Sequence, residues 1–261
     1  MQSRFLAVAF VVLACTPIAR AADRDERVFE LRIYYASPEK LDNLLARFRD
    51  HTCKLFEKHG MTNIGYWVPI DNADNKLVYM LAHKDREAAK ASWKAFMADP
   101  DWQKAYKESE VNGSLLAKPP VVVFMHATDY SPMIKTGADG ERVFELRTYT
   151  CEPGRLDPLS ARFRDHTCKL FEKHGMTNIG YWNYDKDQKN PDFAKAADVT
   201  LFYILAHKSV EARNASFDAF RKDSEWVEAK KASEDKAGGS LTVKDGVKFE
   251  FVKPTDFSPL K

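Results

Sequence analysis

Most of this chain is written twice. Arg27-Val28-Phe29-Glu30-Leu31-Arg32 returns 115 positions later as Arg142-Val143-Phe144-Glu145-Leu146-Arg147, and at the same spacing Ala46 to Trp67 recurs without a change as Ala161 to Trp182. A period of this kind marks a duplicated structural unit and has to be settled before any fold is assigned. Further on the spacing grows to 124, where Leu77-Val78-Tyr79 answers Leu201-Phe202-Tyr203. The second copy therefore carries additional residues around Asn183 to Asp198, which read as a longer hairpin loop. Both copies close alike, with Thr128-Asp129-Tyr130-Ser131-Pro132 matched by Thr255-Asp256-Phe257-Ser258-Pro259. The expected division is two units, 22–132 and 142–261, joined by a linker at 133–141 that holds Gly137 and Gly140.

Within a copy, Val28 to Tyr35 alternates, with Phe29, Leu31 and Ile33 on one face and Glu30, Arg32 and Tyr34 on the other. That is the pattern of a strand with one face on a core. From Pro38 to His59, the residues Leu41, Leu44, Leu45, Phe48, Thr52 and Leu55 recur at helical spacing, with Pro38 suited to a first turn and Gly60 to the position past the end. Two strand-like runs, 61–68 and 77–83, flank a turn-rich stretch at 71–75. A second helix covers 86–97, Asp99-Pro100 restarts a short one, and 121–125 is the last strand. The order βαββαβ is a ferredoxin-like unit of the α+β class, with helices on one face of an antiparallel sheet. The Glu30, Arg32 and Tyr34 face is too charged for a dry core and too aromatic for open water. The two repeats are therefore expected to pack sheet to sheet about a pseudo-twofold axis, building a barrel within one chain.

The N-terminus has Arg4, an apolar run from Phe5 to Ala14, and Ala19-Arg20-Ala21, which together read as a signal peptide spanning 1–21. Export to a periplasmic or extracellular space is the resulting expectation. The alternative is a lipoprotein anchored through Cys15. The apolar run is shorter than a spanning helix needs and no comparable run occurs later, so no transmembrane segment is expected. Forty basic and 38 acidic residues become 38 and 38 once Arg4 and Arg20 are removed with the leader. Without a basic stripe, nucleic acid is not an expected partner. Cys53, Cys151 and Cys168 are an odd set with no metal-ligand spacing, and helical geometry turns Cys53 towards solvent as a free thiol.

No catalytic triad, phosphate loop or paired-carboxylate signature is legible, and neither metal nor cofactor is assigned. The candidate ligand-binding residues are His51 and His166 at the flank of each first helix, and Trp67, Tyr79, Trp182 and Tyr203 on the strands. To these are added Glu30 and Arg32, repeated as Glu145 and Arg147. Each has a structural alternative: a histidine satisfied by a neighbour, core aromatics, and an ion pair closing the interface between copies. His59 and His174 suit helix C-termini, and His83 and His207 end strands as pocket-mouth groups or polar terminators. The unbroken identity of Ala46 to Trp67 suggests two equivalent sheet–helix pockets, one bordered by His51 and Trp67 and the other by His166 and Trp182.

The motifs Phe-Glu-Leu-Arg-x-Tyr, Phe-Glu-Lys-His-Gly-Met-x-Asn-Ile-Gly-Tyr-Trp, Asp-Pro-x-Trp and the closing Phe-Ser-Pro-Leu-Lys resemble the NIPSNAP family over nearly the whole mature chain. The second copy has Asp223-Ser224-Glu225-Trp226 in place of the proline motif. This resemblance implies a dimeric α/β-barrel fold, here made by two tandem copies. It supplies no agreed catalytic residues, and the mitochondrial roles of some relatives do not transfer to a chain with an export signal. Two classes of function are open. One is a binding protein for a small apolar ligand or a protein partner. The other is a cofactor-free oxidoreductase or isomerase, or a haem-binding protein, acting on a small apolar molecule in the sheet–helix pocket.

Overall fold

A computed structural model describes residues 24–137 and 140–261, so the leader at 1–21 and Cys15 lie outside the described residues. The first repeat contributes β1 (Val28–Tyr35), α1 (Leu41–Arg47), a π-helical turn (Phe48–Thr52), α2 (Cys53–Lys58), β2 (Thr62–Pro69) and β3 (Lys76–His83). It continues with α3 (Arg86–Ala98), α4 (Pro100–Ser109) and β4 (Val121–Ala127). The second repeats this order as β5 (Val143–Cys151), α5 (Leu156–Arg162), a π turn (Phe163–Thr167), α6 (Cys168–Lys173) and β6 (Thr177–Tyr184). A short helix inside the insert, α7 (Pro191–Ala196), precedes β7 (Thr200–His207), α8 (Val210–Lys222), α9 (Ser224–Ala237) and β8 (Thr242–Pro254). The insert is thus more than the longer loop its composition implied.

All eight strands pair antiparallel in one closed barrel, ordered β1-β3-β2-β8-β5-β7-β6-β4. The repeats join edge to edge: Val68 opposes Lys253 across β2 and β8, and His126 opposes Asn183 across β4 and β6. Closure leaves no free sheet edge within this set of strands. Each repeat's closing Thr-Asp-aromatic-Ser-Pro motif completes the joint by docking on the other repeat. Tyr66 N–H donates to Ser258 Oγ at 2.9 Å and Arg49 pairs with Asp256, while Tyr181 N–H donates to Ser131 Oγ at 3.0 Å and Arg164 pairs with Asp129. The segment that is identical between copies is therefore the receiving half of this joint.

The expected facing of β1 is inverted. Phe29 and Leu31 point into the barrel, where they meet Trp67, Met80, Val123 and, from the other repeat, Phe144 and Trp182 in one apolar cluster. Glu30, Arg32 and Tyr34 lie instead beneath the helices, so they do not form an interface between the copies. The interior of an eight-stranded closed barrel is narrow and lined by side chains, and the apolar set goes there. The charged set can be buried on the outer face because α3 and β3 supply polar partners for it.

The helix expected from Pro38 to His59 starts at Leu41 and is interrupted by the π turn. Thr52 Oγ1 donates to the Arg47 carbonyl, five residues back, at 3.0 Å. One residue inserted into an α-helix rotates the residues beyond it by about 100°. This brings Cys53 inward against the helix–sheet core rather than out to solvent, and Cys168 takes the same setting in the second repeat. Gly60, at φ 78°, ends α2 in the left-handed conformation, as expected of a residue just past a helix.

Candidate functional site

The helix–sheet layer of the first repeat encloses a cavity of about 700 Å³ between α3 and the outer faces of β1 and β4. Its walls are aromatic, with Phe48, Phe56, Trp93, Phe96, Trp102 and Phe124, and its floor is Glu30, Arg32 and Tyr34. A volume of this size lies within the roughly 300–1,000 Å³ of small-molecule sites. Across the mouth lie Asp187, Gln188 and Lys189 from the insert of the second repeat. Gln188 is clipped to β4, its Nε2 donating to the Phe124 carbonyl at 2.7 Å while its Oε1 accepts from the Phe124 N–H at 3.2 Å. Arg86 donates to the Asp187 carbonyl at 2.9 Å and lies 3.5 Å over the Phe124 ring.

On the floor, Glu30 is 1% exposed and accepts from Trp93 Nε1 at 2.7 Å, with His83 Nε2 at 2.8 Å from the same oxygen. Burial works against the charge of Glu30, yet the His83 hydrogen bond, the Arg32 charge and the Trp93 donor outweigh it and hold the carboxyl below its ordinary range. Arg32 stands 3.5 Å from Glu30 and stacks 4.0 Å from the Trp93 ring. Burial opposes its charge too, but Tyr79, Tyr34 and Glu30 keep the guanidinium firmly protonated. Its Nε and the Tyr79 hydroxyl are both buried without a hydrogen-bond partner.

The second repeat fills the equivalent space. Ala89 of α3 corresponds to Arg213 of α8, and Val122, opposite Arg32, corresponds to Phe249, opposite Arg147. Arg213 donates to both oxygens of Glu145, from Nε at 3.1 Å and from Nη2, and lies 4.7 Å from the Phe249 ring. Arg147 donates to Glu145, to Tyr203 at 2.7 Å and to Tyr149 at 3.2 Å. His207 Nε2 lies 3.1 Å from Glu145, whose carboxyl is brought down to about 2, burial being outweighed by His207, Arg213 and Arg147. The two pockets are therefore not equivalent.

Of the residues singled out from sequence, Glu30 and Arg32 line the cavity, with Tyr79 packed behind them. Glu145, Arg147 and Tyr203 form the filled counterpart. His51 is exposed on its π turn, and Trp67 lies inside the barrel, so the two do not border one pocket. His166 and Trp182 are separated in the same way, the former half-buried and the latter in the barrel. His83 and His207 are buried partners of the carboxylates, and His59 and His174 pair with Asp99 and Asp223, the N-cap residues of α4 and α9. Sequence reasoning missed Trp93, Ala89, Arg86 and the insert. The Ala89 and Arg213 contrast was available at the 124-residue spacing, but only the fold shows that this position faces the floor.

Among the described residues that line the cavity there is no histidine, cysteine or serine. Among the described residues, no group of three or more His, Cys, Asp or Glu is placed to hold a metal ion, and no helix is long and apolar enough to cross a membrane. Cys53, Cys151 and Cys168 are free, and burial pushes the Cys53 and Cys168 thiols up to about 12. Alkylation of these two at pH 8 is accordingly expected to be about tenfold or more slower in native protein than in denaturant, because the thiolate is the nucleophile. Equal rates by mass spectrometry would contradict their inward setting.

The NIPSNAP family model matches residues 29–132 and 144–259. None of the curated proteins matches this sequence significantly. Among solved structures, an anthrone oxidase-like protein aligns at 10% identity over 91% of this chain and 95% of its own, with a TM-score of 0.58. A candidate monooxygenase from Lactobacillus acidophilus NCFM aligns at 10% identity over 88% of this chain and 94% of its own, TM-score 0.55. A NIPSNAP domain protein from Burkholderia xenovorans, 21% identical, matches 41% of this chain and 99% of its own at a TM-score of 0.36. At these identities the two whole-chain likenesses show a shared fold.

Proposed function

The chain belongs to the NIPSNAP family, and on that premise we propose that it is a binding protein whose first repeat holds a small, largely apolar molecule while its second repeat serves as a filled scaffold. The observation that carries this reading is the contrast at two positions. Ala89 and Val122 leave about 700 Å³ open above Glu30 and Arg32, whereas Arg213 and Phe249 occupy the same place above Glu145 and Arg147. Binding is favoured over turnover because the carboxylate at the floor is held ionised by three neighbours and makes a weak base.

Oxidation or isomerisation without a cofactor remains the second reading, supported only by the fold shared with the oxidase-like and monooxygenase-like proteins. A haem reading likewise rests on the shared fold alone. Export stays part of the proposal, on Arg4, the apolar run to Ala14 and Ala19-Arg20-Ala21.

Ala89→Arg tests the proposal by restoring the filling side chain of the other repeat. The fluorophore N-phenyl-1-naphthylamine is expected to bind wild type and to lose at least about tenfold in affinity in the variant, with an unchanged circular dichroism spectrum. A wild type that fails to bind, or a variant that binds equally well, would refute the cavity as a ligand site. Turnover of a bound aromatic with oxygen uptake would instead favour the second reading.

A further inference from the structure

We infer that the ligand of the first-repeat cavity is a planar aromatic molecule bearing an anionic oxygen, a carboxylate or phenolate, and that this oxygen is received by Arg32. The inference rests on the binding reading above and adds the chemical class of the ligand. It starts from an imbalance between two arginines that occupy the same place in the two repeats. Arg147 spends its donors on Glu145, Tyr203 and Tyr149, and its side chain is 6% exposed. Arg32 has the Glu30 ion pair at 3.5 Å and the Trp93 and Tyr34 rings, but its Nε makes no hydrogen bond, not even to Tyr79 where Arg147 reaches Tyr203, and its side chain is 16% exposed at the cavity.

A guanidinium carries five donors, and leaving them unmet in a desolvated site is costly. The nearby carboxylate does not meet them: Glu30 Oε1 stands 3.5 Å from Arg32 Nε without hydrogen bonding it, and Oε2 is taken by His83 and Trp93. A second buried donor without a partner, Arg86 Nη1, belongs to another cation lining the same cavity. Arg86, Lys90 and Lys189 join Arg32 against Glu30, Glu87 and Asp187, and Asp187 is engaged by Arg86. The charge left over is positive, and the exposed Lys90 and Lys189 at the rim would draw an anion inward.

The aromatic walls specify the rest of the molecule. Phe48, Phe56, Trp93 and Phe124 line the same space as Arg32, and an aromatic lining suits a flat conjugated body. An inorganic anion would leave these walls unfilled. A neutral hydrocarbon would leave the Arg32 donors unmet, and sites built to hydrogen-bond a substrate oxygen reject analogues that lack it. A cationic aromatic would meet a floor whose one carboxylate is already satisfied.

The test compares matched naphthalenes by calorimetry and tryptophan quenching on the full chain. 2-Naphthoate is expected to bind at least about tenfold more tightly than 2-methylnaphthalene, and 2-naphthylmethylammonium the most weakly. Arg32→Gln should remove the preference for the carboxylate while leaving 2-methylnaphthalene affinity within about twofold. Arg32→Met serves if the first variant does not fold, and the wild-type comparison needs neither. 2-Naphthol separates the two oxygen classes: binding that strengthens as the naphthol ionises identifies phenolate, and constant weak binding beside tight naphthoate identifies carboxylate. Equal affinity for 2-naphthoate and 2-methylnaphthalene would overturn the inference while leaving the cavity reading intact. Binding of none of the probes would overturn both.

Discussion

Glu145→Ala is expected to cost the protein about 3–5 kcal/mol, measured by urea unfolding at pH 7, because removing one partner of a buried ionic cluster strands the others. Arg147 and Arg213 are 5% and 8% exposed, and both donate to this one carboxylate. Without it, two guanidinium groups face each other in a site with little access to water. Glu30→Ala in the first repeat strands a single guanidinium, Arg32, together with the neutral partners His83 and Trp93, at the edge of a cavity that water can enter, so its cost should be nearer about 1–2 kcal/mol. Equal losses in the two variants would show that the second repeat is no more tightly locked than the first.

The same substitution carries a pH signature. The Glu145 carboxyl is held at about 2 against an ordinary value of 4.5, so the stability it contributes is complete above pH 4.5 and is lost as the pH falls towards 2. The gap between wild type and Glu145→Ala should therefore narrow across that window. A gap that stayed constant from about pH 5 to about pH 2.5 would contradict the assigned ionisation.

Gly180→Ala is the second large effect, at roughly 2–4 kcal/mol, and Gly65→Ala should match it. At both positions the ladder to the neighbouring strand slips by one residue, and the glycine lies under the ring of the tryptophan two residues on. A methyl group there would fall well inside contact distance of Trp67 or Trp182. Both rings are fully enclosed in the barrel, against Phe144 at 5.9 Å and Phe29 at 5.5 Å, so neither can swing aside. Neither glycine has a positive φ, which makes space rather than backbone freedom the requirement. Thermal unfolding of the two variants that matched wild type would mean the rings relocate at no cost.

The duplication, the order of elements and the alternation of β1 were all visible in the residues, since each is a local or self-referential signal. Which face of β1 turns inward was not. Both faces are buried, and period-two alternation separates Phe29 from Glu30 without saying which one meets the other repeat. The π turn escaped because Phe48, Thr52 and Leu55 also satisfy an uninterrupted helical spacing, and its displacement shows only in where Cys53 ends up. The identity of Ala46 to Trp67 suggests paired pockets, whereas in the fold it coincides with the surface on which Ser131 and Ser258 close the barrel. The candidate site itself depends on what is missing from a side chain, Ala89 where its counterpart is Arg213, and on residues 187–189 crossing from the other repeat. No local pattern encodes that meeting.

The edge-to-edge joint also governs how the molecule can come into being. β2 finds its outer partner in β8, and β4 finds its own in β6, so the first repeat has two unsaturated borders until the second is in place. Since β8, the last strand in chain order, pairs with both β2 and β5, the ring of strands cannot be completed before β8 is made. Its decisive contacts join residues nearly two hundred positions apart, such as Tyr66 and Ser258, which places folding among slow, late-committing processes. The repeat boundary thus divides the sequence but not the sheet: among the described residues neither half closes a ring of strands by itself, and each takes its outer partners from the other.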